Sequence, residues 1–344
     1  MKKKLELGIT TFAEVMPNPM TLKTITYDER IRQVVDEIIL ADQVGLDYFG
    51  VGEHHRKDFA ASAPHMILAA AAPLTQRIKL ASAVTVLSSD DPVRVYQNFA
   101  TLNALSHGRA EIMAGRGSFI ESFPLFGYDL EDYDELFSEK LEMLIKIRDN
   151  EYVSHKGKFT PELKHLGVYP RTDKPLSISI GVGGTPASVI RAADYGLPLV
   201  IAIIGGNPLM FKPLVDLYKK HYKSHGHPME QMMISVHSHG YIDLNHDQAV
   251  KDYYPSLSQA MNIIGKERGW SPYTQETYDQ ARSMQGALYV GDPKYVAKKI
   301  KHLVEGLEIN RFVLHVPVGY MDHEKVMNTI KLLGTEVKTL LDQD

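Results

Sequence analysis

Runs of apolar residues of strand length alternate with segments of helical period along the whole chain, and this alternation restricts the fold more than any other feature. Several runs, including "IKLASAVTVL" and "PLVIAIIGG", are apolar throughout, as parallel strands are when both faces of a sheet are covered. Eight such strands with helices between them predict an α/β protein with a TIM (β/α)8 barrel. A doubly wound open sheet is the alternative, but "GITTFAEV" lacks the Gly-rich turn that it would require.

The chain is interpreted as one barrel domain over residues 1–344, because barrels of this class reach ~250 residues or more as a single domain. Two segments lack a clear period, at about 150–174 and 265–290, and they are interpreted as insertions after the fourth and seventh strands. The helical segment before the second insertion is expected to be interrupted at Pro255, because proline removes a backbone donor.

The composition excludes several classes of function. A net charge of −4 does not indicate a surface for nucleic acids or membranes. No window contains the ~18 consecutive apolar residues that a membrane span needs. The absence of cysteine excludes disulfides, thiolate nucleophiles and cysteine-based metal sites. We therefore expect a cytoplasmic protein with a small-molecule substrate and with no nucleic-acid or membrane partner.

A candidate phosphate site follows the fifth strand, since the working face of such a barrel lies at the carboxyl ends of its strands. The stretch "GGTPASV" places Gly183 and Gly184 before a helix, with Thr185 at the N-cap and Ser188 one turn later. A helix N-terminus offers free N–H groups and the positive end of the helix dipole, which favour an anion. An ordinary N-capped turn would have the same residues.

Two other strand ends are rich in glycine. Gly205 and Gly206 follow the sixth strand and would allow a ligand to approach the backbone closely. The fourth strand ends in "AGRG", which places Arg116 between Gly115 and Gly117. An arginine held there could pair with a phosphate or a developing anion, or it could form a salt bridge at the rim.

An acid and two imidazoles end the second strand. Neighbouring side chains of an extended strand point in opposite directions, so Glu53 and His55 are expected to share a side that His54 does not. His237 and His239 on the seventh strand could bind zinc with Glu53 and His54, as in a metal-dependent hydrolase. Polar residues inside the barrel would show the same pattern. We expect no metal, because the last strand, "RFVLHVPVG", lacks the aspartate of such sites.

Taken together, these motifs resemble the bacterial luciferase-like, flavin-dependent monooxygenase superfamily. The resemblance covers nearly the whole chain, and it depends on the joint set of motifs. They are "GEHH", "ASAVTVLSSDDPVRVYQNFATLNALSHGR", "AGRG", "GGTPASVIRAADYGLP", "YVGDPKYVAKKIKHLVE" and "HEKVMNTIKLLGTEV".

The resemblance implies that FMN binds at the carboxyl ends of the strands. The isoalloxazine ring is expected over the third strand, at a non-proline cis peptide that matches Ala83–Val84. Arg116 matches an arginine by the flavin phosphate. The other matched residues form the phosphate-binding turn and its surroundings, and they are Gly183, Gly184, Thr185, Ser188, Gly205 and Gly206. Gly115 departs from the pattern, because luciferases have a cysteine there, and light emission is not implied.

The implied activity is that of a monooxygenase. Reduced FMN, supplied by a separate flavin reductase, reacts with O2 to give a C4a-(hydro)peroxide that oxidises the substrate. His54 matches the histidine that acts in luciferase chemistry and is the expected general acid or base, because the usual pKa of histidine lies near neutrality. Glu53 is expected to orient His54. The residues expected at the mouth indicate a small, mostly apolar substrate, and they are Phe12, Glu14, Met16, Phe59 and Phe119.

The resemblance also implies a homodimer formed through the second and third helices, and a mobile loop within 265–290 that closes the site. Three alternatives stay open. The first is a deazaflavin-dependent oxidoreductase that transfers hydride without O2. The second is the metal-dependent hydrolase described above. The third is a protein that binds flavin without catalysing a reaction.

Overall fold

Helices surround a closed barrel of eight parallel strands in the computed structural model of the chain, which describes residues 4–117 and 119–343. The predicted TIM barrel is therefore confirmed. Pairing of the last barrel strand with the first closes the barrel, with Thr10 opposite His315. The barrel strands are β1 (Glu6–Thr11), β2 (Tyr48–Val51), β3 (Lys79–Ser82), β5 (Ala110–Gly115), β8 (Ser177–Val182), β9 (Leu199–Ala202), β10 (Ile234–Ile242) and β12 (Arg311–His315). The other strands are β4 (Thr85–Val86), β6 (Tyr152–His155), β7 (Leu163–Gly167) and β11 (Tyr289–Gly291).

Helices connect the strands and cover the outer face of the barrel. Their N-terminal ends follow the strand ends at which the candidate residues lie. The α-helices are α1 (Tyr27–Gln43), α2 (Pro64–Ala71), α3 (Pro92–Leu105), α4 (Ser122–Phe126), α5 (Tyr133–Asp149), α6 (Pro186–Asp194), α7 (Lys212–Ser224), α8 (His246–Arg268), α9 (Gln275–Arg282), α10 (Pro293–Leu307), α11 (His323–Leu332) and α12 (Lys338–Asp342). In the described part of the chain, no helix combines the length and the apolar character needed to cross a membrane.

Both segments that the sequence left without a period contain regular structure. In the first, β6 and β7 form an antiparallel pair, with Tyr152 opposite Gly167. In the second, α8 ends, α9 follows and β11 begins. The sequence did not show β7 and α9 because their side chains are mostly exposed: β7 buries none of its residues fully, and α9 buries only Tyr278.

The expected interruption at Pro255 is wrong, because α8 continues through this residue to Arg268. Proline removes one backbone hydrogen bond from a helix interior, which costs ~3 kcal/mol or more. The buried face of the helix continues on both sides of the proline, with Tyr253 before it and Leu257 and Ala260 after it. Tertiary packing therefore outweighs the local preference, as it often does for helices.

A buried ion pair fills the amino-terminal end of the barrel. Arg311 on β12 donates to the carboxylate of Glu111 over 2.9 and 3.2 Å and to Glu6 over 2.7 Å. Its guanidinium also lies 4.4 Å from the centre of the Tyr48 ring. Burial alone would raise the pKa of Glu111, but the adjacent Arg311 outweighs this effect and lowers it. The ion pair therefore connects the amino-terminal ends of β1, β5 and β12.

Candidate active site at the carboxyl ends of the barrel strands

Arg116, directly after β5, contacts Ser188 on the first turn of α6. Its Nη2 donates to Ser188 Oγ over 3.2 Å. The same guanidinium pairs with the largely exposed carboxylate of Asp134 and lies 5.0 Å from the centre of the Tyr133 ring, both at the start of α5. The Tyr133 hydroxyl donates to the carbonyl oxygen of Gly117 over 3.1 Å. A cation and the N-terminus of α6 thus meet at one place, and such an arrangement binds anions.

The backbone is unobstructed at the glycines that follow β8 and β9. A Cβ atom added at Gly183, Gly205 or Gly206 would meet no other atom within 4 Å. Gly206 has a φ of +69° and Gly184 a φ of +124°, conformations that favour glycine. Thr185 is the N-cap of α6, as predicted, but its side chain makes no capping hydrogen bond. The Thr185 hydroxyl is therefore not used for capping, and together with Arg116, Ser188 and the N-terminus of α6 it forms a donor set that fits a phosphate group.

The peptide bond between Ala83 and Val84 is cis, as the resemblance implied. It separates β3 from β4, and β4 pairs with β5 through Thr85 and Val86. The Val84 side chain occupies the space that a Cβ atom would need at Gly115 and Gly181. A Cβ atom on Gly115 would lie 2.7 Å from Cγ2 of Val84, and one on Gly181 would lie 2.9 Å from Cγ1 of Val84. Gly115, expected to contact the cofactor, thus also accommodates Val84.

Glu53 fixes the segment that contains this peptide bond. Its backbone N–H donates to the carbonyl oxygen of Val84 over 3.2 Å, and its Oε2 accepts from the backbone N–H of Val86 over 2.9 Å. Its Oε1 lies 2.8 Å from Nε2 of His55. Glu53 and His55 share a side, as predicted from strand alternation. The carboxylate contacts His55 instead of His54, so the expected orientation of His54 by Glu53 is not observed.

We expect the Glu53→Gln substitution to lower the pKa of Asp90. Burial and, after it, the negative charge of Glu53 together raise this pKa to about 6. Removing that charge leaves the effect of burial in place, so the pKa should remain above its usual value of 3.8. The raised pKa contributes stability that is lost as pH rises through about 6, and this loss should be smaller in the variant.

Carboxyl carbon chemical shifts recorded by NMR across a pH titration measure the Asp90 pKa directly. Glu139→Gln is the matched control, since this carboxylate accepts hydrogen bonds from Phe159 and Thr160 and is not among the groups that affect Asp90. An Asp90 pKa that stays the same in Glu53→Gln would contradict the assigned electrostatic contact.

His54 lies within a cluster of aromatic rings at the mouth. Its ring centre is 4.4 Å from those of Phe12 and Phe59 and 5.2 Å from that of Phe119. The structure shows no hydrogen bond between a protein group and either of its ring nitrogens in the described residues. Burial, with nearby cationic groups, lowers the pKa of His54 to about 3. This pKa lies below the near-neutral range that suits a general acid or base, and the imidazole is neutral at neutral pH.

A buried acid–histidine pair lies beside this cluster, and the sequence analysis did not identify it. Nε2 of His315 is 2.9 Å from Oε1 of Glu14, and its Nδ1 is 3.2 Å from the hydroxyl of Thr10. The His315 ring centre is 4.2 Å from that of Phe12. The sequence predicts Glu14 only as one of the residues that line the mouth. The available signal was barrel closure, which places the first strand beside the last and Thr10 opposite His315.

His237 and His239 both lie on β10, but they do not form a metal site with Glu53 and His54. His239 lies 5.3 Å from the ring of His315, and His237 lies 5.9 Å from the ring of Tyr48 deeper in the barrel. Burial lowers the pKa of each to about 3. Within residues 4–117 and 119–343, the side chains close enough together to hold a metal ion are those of Asp194, His221 and His225, at the ends of α6 and α7. The metal site that the hydrolase alternative required at the carboxyl ends of the strands is not among them.

An arginine connects three segments across the mouth. Arg56, after β2, donates to Glu121 over 2.5 Å and to Glu267 at the end of α8 over 2.7 Å. The guanidinium groups of Arg56 and Arg268 lie 4.6 and 4.9 Å from the centre of the Phe119 ring. The first residues of the 265–290 segment thus reach the mouth, and their role as a closing loop stays a prediction.

Comparison with protein families gives a match over most of the chain. The model of a family described as luciferase-like monooxygenase matches residues 5–308. The N-acetyl-S-alkylcysteine monooxygenase of Bacillus subtilis (strain 168) is 25% identical over 308 residues, which cover 85% of this chain and 89% of that protein. An F420-dependent glucose-6-phosphate dehydrogenase of Amycolatopsis mediterranei (strain U-32) is 24% identical over 300 residues, which cover 83% of this chain and 89% of that protein.

Comparison with solved structures gives the same fold. The oxygenating constituent of 3,6-diketocamphane monooxygenase from Pseudomonas putida, solved in complex with FMN, superposes with a TM-score of 0.76 at 19% identity. The match covers 98% of this chain and 99% of that chain. At this level of identity, the likeness establishes the shared barrel.

Proposed function

Since the chain belongs to the luciferase-like monooxygenase family, we propose that it is an FMN-dependent monooxygenase that oxidises a small, mostly apolar substrate with O2. Reduced FMN, supplied by a separate flavin reductase, would provide the electrons that activate oxygen. The observation that carries the proposal is the contact of Arg116 with Ser188 at the N-terminus of α6. The open backbone at Gly183 and Gly205, after the neighbouring strands β8 and β9, supports it. The homodimer and the cytoplasmic location stay predictions.

The phosphate of FMN would be held by three kinds of donor. Arg116 supplies the charge and a planar pair of N–H groups, which suits a phosphate better than the point charge of a lysine does. Ser188 and Thr185 supply hydroxyls, and the first turn of α6 supplies backbone N–H groups. Asp134 now accepts from Arg116 with a side chain that is 74% exposed, so a phosphate can replace it without leaving a buried acid.

The flavin ring would be supported by the segment around Ala83 and Val84. Val84 contacts Gly115, the residue before Arg116, so this segment adjoins the proposed phosphate site. Glu53 holds the backbone on both sides of Val84, and the Val84 side chain fills the space over two glycines. A backbone fixed in this way offers a preorganised surface for a flat ring.

The chemistry of the substrate would take place among the aromatic rings. Phe12, Phe59 and Phe119 surround His54 and exclude water from it, which strengthens electrostatic interactions within the site. His54 is neutral, and a negative charge on the bound flavin or substrate would raise its low pKa toward neutrality, so that a ring nitrogen could accept a proton from the substrate. The Glu14–His315 pair also borders Phe12, whose ring contacts the rings of both His54 and His315. The pair could hold a proton through its 2.9 Å hydrogen bond.

Hydride transfer with a deazaflavin is the second candidate function, because a relative of 24% identity is an F420-dependent dehydrogenase. That cofactor also carries a phosphate, so the cluster around Arg116 would serve both candidates. The two functions differ in their need for O2, which an assay under nitrogen separates.

Titration of the purified chain with FMN, anaerobically reduced FMN and coenzyme F420 tests the proposal. We expect saturable binding of reduced FMN, and O2 uptake that yields one oxygenated product per reduced FMN with some member of a panel of ketones, alkanals and thioethers. Absence of binding to FMN in both redox states would contradict the proposal. Turnover with F420 under nitrogen would replace it with the second candidate.

A further inference from the structure

Two histidines and an aspartate meet at the C-terminal ends of α6 and α7, away from the site described above. Asp194 is the last residue of α6, His221 lies in the last turn of α7, and His225 directly follows α7. The two histidines are four residues apart, so their side chains lie on the same face of the helix end. Their ligand atoms and the Asp194 carboxylate oxygen all lie within 4.8 Å of one another.

The distances match those of a chelate. Nδ1 of His221 and Nδ1 of His225 lie 3.2 and 3.3 Å from Oδ1 of Asp194. In a tetrahedral zinc site with bonds of ~2.0–2.1 Å, two ligand atoms are separated by about 3.3 Å. Two edges of the required tetrahedron are thus already present, and the partly exposed side chains leave the remaining position open to water.

Neighbouring contacts hold the ligands in place. Nε2 of His227 lies 2.9 Å from the carbonyl oxygen of Asp194, which connects the chain after α7 to the end of α6. Nδ1 of His225 also lies 3.0 Å from the carbonyl oxygen of His221, a hydrogen bond that a metal would replace. The rings of His221 and His225 are nearly parallel, at an interplanar angle of 18°. The His227 contact therefore positions the backbone of Asp194, whereas the His225 contact involves the nitrogen that would bind the metal.

We propose that Asp194, His221 and His225 bind a divalent transition-metal ion of the zinc class and thereby connect the ends of α6 and α7. Two imidazoles and one carboxylate suit zinc, copper or nickel better than they suit calcium or magnesium. The C-terminal ends of the helices lie at the opposite end of the barrel from the carboxyl ends of the strands. The metal therefore acts on stability and takes no part in the proposed oxidation, so the two proposals can fail independently.

Calorimetric titration of the EDTA-treated, dialysed full-length protein with zinc chloride tests the site. We expect one ion per chain, with affinity lowered at least tenfold in each of Asp194→Asn, His221→Ala and His225→Ala. His302→Ala, which removes an exposed histidine from α10, is the matched control and should bind as the wild type does. No saturable binding, or equal affinity in the wild type and all three ligand variants, would overturn the proposal.

A second measurement covers the case in which a variant folds poorly. Binding to the native state stabilises it by mass action, so zinc should raise the melting temperature of the wild type and of His302→Ala. The rise should be absent from His225→Ala, whose side chain lies outside the helix and is 46% exposed, so its loss should not disturb the fold. A rise of equal size in His225→Ala would overturn the proposal.

Discussion

Replacing Arg116 with alanine should weaken the binding of FMN by roughly ten- to a hundredfold and leave the binding of riboflavin unchanged. Riboflavin lacks the phosphate, so the difference between the two ligands isolates the contact that Arg116 makes. A hydrogen bond to a charged group contributes about 1.5–3 kcal/mol, and about 1.4 kcal/mol corresponds to a factor of ten in affinity. Quenching of flavin fluorescence in parallel titrations of the two ligands gives both dissociation constants.

Three further variants separate the phosphate contact from the general effect of positive charge. Arg116→Lys keeps the charge but loses the planar pair of donors, so its FMN affinity should be intermediate. Arg191→Ala removes another cation from α6, one whose guanidinium lies 5.5 Å from the Phe137 ring, and should change little. Asp134→Asn should strengthen FMN binding, because this carboxylate competes with the phosphate for Arg116. Equal weakening of riboflavin and FMN in Arg116→Ala would show that Arg116 does not contact the phosphate.

The features of the site that the sequence predicted best are those that depend on local chain geometry. Glycines, a threonine N-cap and a proline in the first turn specify the start of α6, and the structure places Ser188 beside Arg116 because both follow neighbouring barrel strands. Glu53 and His55 lie just after β2, and the 2.8 Å contact between them agrees with the shared side expected from strand alternation.

The features that were missed depend on residues far apart in the chain. Glu14 and His315 are separated by 301 positions, and they meet only because β12 pairs with β1 when the barrel closes. Asp134 reaches Arg116 because the chain between β5 and α5 folds back on the strand end. Neither contact has a local sequence signal, so only a three-dimensional arrangement of the predicted elements could have revealed them.

The low pKa of His54 was missed for a related reason. A histidine after a strand can be exposed or buried, and the sequence around "GEHH" does not distinguish these states. Burial follows from three phenylalanines that come from different segments, namely Phe12, Phe59 and Phe119. The motif indicated which residue lies in the site, whereas the packing of the other segments determines its charge.

Replacing His54 with phenylalanine should lower kcat by about a hundred- to ten-thousandfold, the usual contribution of a general acid or base. Phenylalanine keeps a ring among Phe12, Phe59 and Phe119 and removes both nitrogens, so the loss reports proton transfer instead of packing. His302→Phe is the control, because it makes the same change at an exposed histidine on α10, outside the site. Turnover would be measured with the best substrate from the panel at saturating reduced FMN. A kcat for His54→Phe within a fewfold of the wild-type value would exclude the catalytic role.

The same variant should also resist acid better than the wild type. His54 has a pKa of about 3 in the folded protein and its usual value of 6.5 in the unfolded chain. Between these two pH values, the unfolded chain therefore binds a proton at His54 that the folded chain does not bind. The free energy of unfolding therefore decreases as pH falls below 6.5. For a group with this shift, the decrease at pH 5 is about 2 kcal/mol relative to neutral or higher pH. His54→Phe removes this loss, whereas His237 and His239 retain theirs. Urea unfolding at pH 8 and pH 5 should show a smaller decrease in the variant, and equal decreases would mean that His54 is not buried as the neutral imidazole.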